Sequence, residues 1–224
     1  MLRSGRMPFV LATVVRAERP TSAKPGDRAL VLPDGSMEGF VGGHCAEHTV
    51  RMHGMRLLGT GESTLLRITP TEAEETVSEG VVTVGNPCLS GGSLDIFLEA
   101  VLPPLLVHVH GDAPVARALV EVGRAMGHEV EHASPTSPPD LAALIVAVGG
   151  HDESEMLTAA LRAEVPYIGL VASRKRGHEV LASLDVTPED RSRIHTPAGL
   201  DIGARTPPEI AVSIYAELIA DRRR

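Results

Sequence analysis

Apolar and polar positions follow two different rhythms along this chain, and the change falls near residue 103. Before it, short apolar runs are broken by turn residues: Pro8 to Val15 (PFVLATVV) is β-branched and apolar, and a Pro/Lys/Gly loop separates it from ALVLP-DG-SMEGFV. Asp34-Gly35 between two apolar runs is a strong hairpin signal, because both residues tolerate the positive φ of a tight turn. Val50, Leu57 and Leu58 then recur at helical spacing and predict a helix from about Cys45 to Leu58. STLLRI, GVVTV and SLDIFLEAV read as further strands, so this half is expected to be α+β, with one main helix on a mostly antiparallel sheet.

From Pro103-Pro104 onward, apolar runs alternate with amphipathic stretches. LLVHVHG, HEVEHA, AALIVAVG and PYIGLVA predict four strands. A helix is predicted after the first, APVARALVEVGRAMG, with Val115, Leu119, Val122 and Met126 on one face. Another follows the third strand, DESEMLTAALRAE, where Asp152 and Glu155 have capping-box spacing. SPTSPPD reads as a loop. Strands alternating with helices mean βαβ units and a parallel sheet. The chain closes on TPPEIAVSIYAELIADRRR, where Thr206 and Glu209 can form a capping box, Pro207 and Pro208 suit the first turn and Arg222 to Arg224 meet the negative end of the dipole. The expected fold is therefore α/β: an α+β domain over 1–102, then a Rossmann-like parallel-sheet domain over 103–224.

Composition narrows the partners. The chain has 224 residues, a formal charge of −8, two Tyr, three Phe and no Trp, so it lacks both the basic footprint and the stacking platform of a nucleic-acid binder. Its longest apolar run, Leu141 to Gly150, falls well short of the roughly 18 to 20 residues of a membrane-spanning helix. MLRSGRMPFV has no apolar core ending at a cleavage site, and a cytoplasmic location is expected. The two cysteines, Cys45 and Cys88, are then expected to be thiols rather than a disulfide.

Three glycine-rich regions carry the candidate chemistry. The first is Gly42-Gly43-His44-Cys45-Ala46-Glu47-His48, leading from a strand into a helix. Amides at a helix start attract anions and favour a thiolate, which marks Cys45, although a buried structural cysteine is the competing reading. His44 and His48 are four apart, a spacing that can chelate a metal but more often marks surface histidines. The second region is Gly85-Asn86-Pro87-Cys88-Leu89-Ser90-Gly91-Gly92, between two strands, where a ligand loop and a plain connection are equally consistent with the residues. The third comprises the carboxyl ends of the parallel strands, where open α/β sheets bind ligands: Gly111, His151-Asp152, Ser173-Arg174-Lys175 and the run holding Gly199, Asp201 and Gly203. Gly111-Asp112-Ala113 lacks the second glycine of a dinucleotide fingerprint, and HEVEHAS has no clear acid at its tip, which counts against an NAD(P)-dependent oxidoreductase.

LATVVRAERPTSAKPGDRALVL, GFVGGHCAE, CLSGGSLDIFLE, YIGLVASRKR and above all IHTPAGLDIGARTPPEIAVSIYAELIADRR resemble the XdhC/CoxI/CoxF accessory proteins of molybdenum hydroxylases, the xanthine dehydrogenase and carbon monoxide dehydrogenase type. The resemblance implies an XdhC/CoxI domain followed by a Rossmann-like domain. It further implies a chaperone rather than an enzyme, one that binds molybdenum cofactor (molybdopterin or a nucleotide form), assists its sulfuration and delivers it to the apo-hydroxylase. A cysteine desulfurase and a molybdopterin nucleotidyltransferase are candidate further partners, and a homodimer is the expected assembly. Cys45 matches the family's cysteine in GGHCAE, and Cys88 with Gly91-Gly92 its later C-G-G with two residues intervening; these two would be the metal's sulfur ligands. His44 departs from the family's usual glycine. Two alternatives remain from the sequence: the oxidoreductase, and a maturation scaffold without cofactor.

Overall fold

The computed structural model describes residues 6–71, 74–86, 92–133, 137–148 and 152–222, and the chain divides into two compact units, Met1–Pro103 and Pro104–Arg224.

In the N-terminal unit seven strands form one sheet: β1 (Phe9–Glu18), β2 (Arg28–Val31), β3 (Met37–Gly39), β4 (Thr64–Thr69), β5 (Thr76–Ser78), β6 (Val81–Gly85) and β7 (Ser93–Val101), in the order β3-β2-β1-β7-β4-β6-β5. All neighbours are antiparallel except β4 and β6. Alternation puts Val10, Ala12 and Val14 of β1, Leu66 and Ile68 of β4 and Leu94, Ile96 and Leu98 of β7 in one buried cluster. The helix α1 (His44–Thr60) covers that cluster with Ala46, Thr49, Val50, His53 and Gly54. The side chains between them point to the other face, where Arg67 donates to Asp95 through Nε (2.9 Å) and Nη2 (3.1 Å) from the directly opposed strand position. The expected Asp34-Gly35 hairpin joins β2 to β3, with Gly35 at φ 78°. The three-residue β5 has no counterpart in the apolar pattern, since all its residues are exposed.

The C-terminal unit is a five-stranded parallel sheet of β8 (Leu106–His110), β9 (Glu129–His132), β10 (Leu141–Val146), β11 (Tyr167–Leu170) and β12 (Ile194–His195), ordered β12-β11-β10-β8-β9. Counted within the unit this is the 2-1-3-4-5 arrangement of flavodoxin-like folds. On one face α2 (Pro114–Ala125) and α6 (Pro207–Asp221) bury Ala116, Leu119, Ile214, Tyr215 and Leu218 against Val107, Val109 and Ile145. On the other, α3 (Glu153–Arg162) and α4 (Arg174–Ser183) bury Met156, Leu157, Leu161 and Val180 against Leu144, Val146, Ile168 and Leu170. A short helix, α5 (Pro188–Ser192), precedes β12.

Two local expectations change. The capping box at Asp152 does not form: the residue's backbone is already helical (φ −82°, ψ −10°) and its side chain accepts no capping bond, whereas a cap needs extended backbone there. The buried residues of α2 are Ala116, Ala118, Leu119 and Gly123, with Val115 and Val122 half-buried and Met126 exposed, and Gly123 admits Tyr215 of α6. The segment after β11, to which the apolar pattern assigns no element, is the helix α4, started by Ser173, whose Oγ accepts from Arg176 N at 3.3 Å. At α6 the anticipated box does close, and Glu209 Oε2 accepts from the N–H groups of Arg205 (2.8 Å) and Thr206 (2.9 Å), which holds its pKa below the ordinary glutamate value.

Three histidines sit where burial disfavours their charge: His53 on α1, His108 on β8 and His128 before β9. Arg56 adds to the effect at His53 and Arg222 at His128, while Glu75 and Glu131 oppose it at His53 and His108. Each folded-state pKa lies below that of the unfolded chain, about 6.5, so the unfolded state binds more protons as pH falls. Stability is thus fully present above that value and declines below it. Thermal midpoints measured from pH 7.5 down to 5.5 are expected to fall; a flat or rising profile would contradict this assignment.

Candidate functional site

Two hollows hold most of the candidate residues that the structure describes, one in each unit. In the N-terminal unit the chain leaves β3, turns through Gly42 and enters α1. Gly42 has φ 138°, and a Cβ on it would stand 3.0 Å from Ala46 Cβ and 3.3 Å from Leu94 Cδ1, so the turn requires glycine. Gly43 occupies the N-cap position in extended conformation and brings no side chain to cap the helix. His44 and Cys45 are therefore the first two helical residues, and Glu47 closes the first backbone bond to Gly43 (3.0 Å). Cys45 is half-buried; its carbonyl accepts from Thr49 Oγ1 (3.0 Å) and from Asn86 Nδ2 (3.2 Å), which also reaches Thr49 Oγ1 (3.1 Å).

Asn86 thus ties the end of β6 to the first turn of α1. On the other side of the same loop, Gly92 lies against the carbonyls of Glu18 and Pro20, and a Cβ there would be 2.7 Å from the former. Both described ends of the second glycine-rich loop therefore converge on Cys45. Together with Thr21 and Gly43 they line a hollow of about 40 Å³, room for little more than one small group. Cys88, Ser90 and Gly91 lie outside the described residues. His44 and His48 are exposed, with Arg51 Nη2 at 3.4 Å from His48 Nδ1. Among the described residues no three His, Cys, Asp or Glu side chains gather as a metal cluster would.

In the C-terminal unit a cavity of about 750 Å³ opens beyond the carboxyl ends of β11 and β12. Ser173 and Arg174 at the start of α4 form one wall; Gly199, Asp201 and Gly203 lie on the other. Across it Arg174 Nη2 and Asp201 Oδ2 are 3.9 Å apart, both almost wholly exposed. Lys175 is exposed and does not line this cavity. Arg176 does, but its guanidinium is engaged: it donates to Glu153 Oε1 (2.6 Å) and Oε2 (2.7 Å) and to the Val148 carbonyl (3.2 Å). The Arg174-Lys175-Arg176 run thus resolves into a cavity-wall cation, a surface cation and a structural ion pair.

The remaining predicted positions are elsewhere in this unit. Gly111 follows β8 with φ 120°, packed so that a Cβ would be 2.6 Å from the Ala147 carbonyl and 2.5 Å from Val148 Cγ1. Asp152 is at the start of α3, and His151 lies outside the described residues. Glu217 was not anticipated. From α6 its Oε2 accepts from Tyr167 Oη (2.7 Å) and from the N–H of Gly199 (2.8 Å), while Oε1 is 3.6 Å from His195 Nδ1. Burial and this carboxylate raise the Tyr167 pKa, and His195 stacks on its ring at 4.6 Å. Ala198 N–H to Leu170 O and Leu200 N–H to Ser213 O, both 3.1 Å, complete the anchoring of this cavity wall.

Residues 107–218 match the XdhC Rossmann domain and residues 2–69 match the XdhC and CoxI family. The uncharacterized protein YqeB of Escherichia coli is 26% identical over 249 aligned residues, covering 97% of this chain and 44% of YqeB. A probable xanthine dehydrogenase subunit of Bacillus subtilis is 34% identical over 87 residues, 39% of this chain and 25% of that protein. The chain thus spans less than half the length of these curated relatives. A solved structure described as a xanthine dehydrogenase from Bacillus halodurans is 19% identical, covering 99% of this chain and 94% of its own, with a TM-score of 0.45. The two matched regions fall in order on the two units, and the chain belongs to the XdhC/CoxI family, with an XdhC/CoxI domain followed by an XdhC Rossmann domain.

Proposed function

We propose that this chain is an accessory protein of molybdenum hydroxylase maturation, which holds molybdenum cofactor, assists its sulfuration and passes it to an apo-enzyme of the xanthine dehydrogenase type. The observation that carries this reading is that Asn86 and Gly92, the described ends of the second glycine-rich loop, meet the first one at Cys45 at the start of α1. Family membership and the relative named as a probable xanthine dehydrogenase subunit support it.

Each unit, taken by itself, has a feature that suits part of such a group. A thiol in the first turn of a long helix gains from the dipole as a thiolate, the form a soft metal or a transferable sulfur requires. The 40 Å³ hollow beside it admits a sulfur atom or one small substituent, whereas the 750 Å³ cavity of the other unit has the volume of a site for a pterin or a nucleotide. When bound, the cofactor supplies its metal and dithiolene sulfurs. Within the N-terminal unit this chain supplies a sulfur ligand at Cys45 Sγ and a rigid turn at Gly42-Gly43; the C-terminal unit, taken by itself, offers Arg174 and the first-turn amides of α4 to an anion.

Co-expression with cofactor biosynthesis, followed by molybdenum and pterin analysis of the purified chain, tests the proposal. About one cofactor per chain is expected, with Cys45→Ala losing most of it while keeping the parent circular dichroism and thermal midpoint. Protein consistently empty of both, or equal retention by the variant, would overturn it.

A further inference from the structure

The helix α6 is apolar all the way round. Ala211, Ile214, Tyr215 and Leu218 are buried in the core of the C-terminal unit, yet the positions turned away from it are apolar as well. Pro208, Val212, Ile219 and Ala220 are exposed, with Ala216 half-buried among them; at 3.6 residues per turn these five fall within an arc of about 120°. Val212 and Ile219 are 49% and 39% exposed. Of the three charged residues of α6, Glu217 and Asp221 stand beside His195 on the sheet side, and Glu209 alone shares the outer arc. The neighbouring α2 carries Arg117, Glu121 and Arg124 on its exposed side, as a helix facing water does. A helix apolar on every side is normally enclosed, and contiguous exposed apolar surface marks a place of association. Leu200 and Ile202, 43% and 55% exposed, broaden this surface, because the Leu200 N–H is bonded to the Ser213 carbonyl of α6 at 3.1 Å.

The order of residues along the stripe indicates what covers it. Val212 and Ile219 are equally far from the point midway between Tyr215 and Ala216, and so are Glu209 and the exposed Arg222. A second α6 laid antiparallel about a two-fold axis at that point brings Val212 level with Ile219 and Glu209 level with Arg222, each twice over. The two helix dipoles then oppose one another, positive end beside negative end. A parallel pair would instead set Glu209 beside Glu209 and Arg222 beside Arg222. Ala216 lies next to the axis, where a small side chain lets two helices approach closely. We propose that this face binds a second copy of the chain, α6 against α6, antiparallel about a two-fold axis beside Ala216. The inference goes beyond the proposed function, no step of which needs a second copy, and it fixes the face, direction and register of the pair.

Sedimentation velocity of the full chain is the first test, from about 1 to 100 μM, the range in which interfaces of modest area dissociate. The parent is expected to pass from monomer to dimer as its concentration rises. Val212→Glu and Ile219→Lys each put an unpaired charge into the interface twice and are expected to weaken the dimer about tenfold or more. Both positions face solvent within the chain, so the variants keep the parent circular dichroism and tyrosine fluorescence. Register is read by disulfide trapping under mild oxidation, with the parent as the background set by Cys45 and Cys88. An equal mixture of Val212→Cys and Ile219→Cys chains is expected to crosslink more than either variant alone, and Ala216→Cys to crosslink with itself. A parent that stays monomeric throughout leaves the stripe to some other protein and overturns the inference. A dimer indifferent to Val212→Glu and Ile219→Lys forms through another face and overturns it too, as does Val212→Cys crosslinking to itself in preference to Ile219→Cys.

Discussion

Arg176→Ala is expected to lower the stability of the C-terminal unit by about 3 kcal/mol, the magnitude seen when one partner of a buried ion pair is removed. Glu153 is 6% exposed, and both its oxygens accept from Arg176 Nη2, at 2.6 and 2.7 Å. Truncation leaves that carboxylate buried without its cation and deprives the Val148 carbonyl of its 3.2 Å donor. The loss arises from desolvation, so the companion change should relieve it. Glu153→Leu combined with Arg176→Met is expected to recover most of the lost stability, because replacing both partners by apolar groups removes the stranded charge as well as the bond. Tyrosine fluorescence during urea unfolding is the appropriate readout: the chain has no Trp, and its two tyrosines, Tyr167 and Tyr215, both belong to the C-terminal unit. An Arg176→Ala midpoint equal to the parent, or a double variant less stable than the single, would refute the account.

Arg176 also shows where the primary structure is legible and where it is not. Features written in contiguous residues could be read directly: the Asp34-Gly35 hairpin, the helix entered through Gly42-Gly43, and the Thr206/Glu209 box at α6. The parallel order of strands and helices in the second half followed from the lengths of its apolar runs. Elements with little apolar content could not be read. β12 has two residues, β5 is exposed throughout, and α4 buries only Gly177 and Val180. The functional geometry had a similar limit. That Cys45 starts a helix was readable, but its bonds to Asn86 span 41 residues, and those of Glu217 to Tyr167 and Gly199 span 50 and 18. A run of three basic residues gives no indication that the third turns inward to Glu153, since its buried partner is 23 positions away. Asp152 failed as a cap for a related reason: the spacing to Glu155 was right, but the backbone enters the helix one residue too early for an extended cap.

Gly123→Ala is expected to have the larger effect, about 4 kcal/mol, although it adds a single methyl group to a helix interior, where alanine is intrinsically favoured by roughly 1 kcal/mol over glycine. The face of α2 at Gly123 is the one against which α6 packs, and the Tyr215 hydroxyl passes over it to donate to the Leu119 carbonyl at 2.8 Å. A Cβ on residue 123 would overlap that hydroxyl and stand 2.7 Å from both Tyr215 Cζ and Val130 Cγ2. Val130 belongs to β9 and Tyr215 to α6, so the methyl group is caught between two elements and cannot be relieved by moving either alone. Overpacking of this kind costs about 1 to 3 kcal/mol. The Tyr215 hydroxyl is buried in the parent, which raises its pKa above the ordinary phenol value; displaced, it adds the cost of a buried polar group without its partner, about 1 to 3 kcal/mol more. These terms outweigh the gain in helix propensity. Tyr215→Phe alone should cost about 1 kcal/mol, the usual net value of one hydrogen bond. Combined with Gly123→Ala it should restore more than that amount, because the clashing oxygen and the stranded donor disappear together. Urea unfolding followed through Tyr167 fluorescence and far-ultraviolet circular dichroism measures all three variants. Simple additivity of the two changes, or a Gly123→Ala protein as stable as the parent, would show that α2 and α6 do not meet at this glycine.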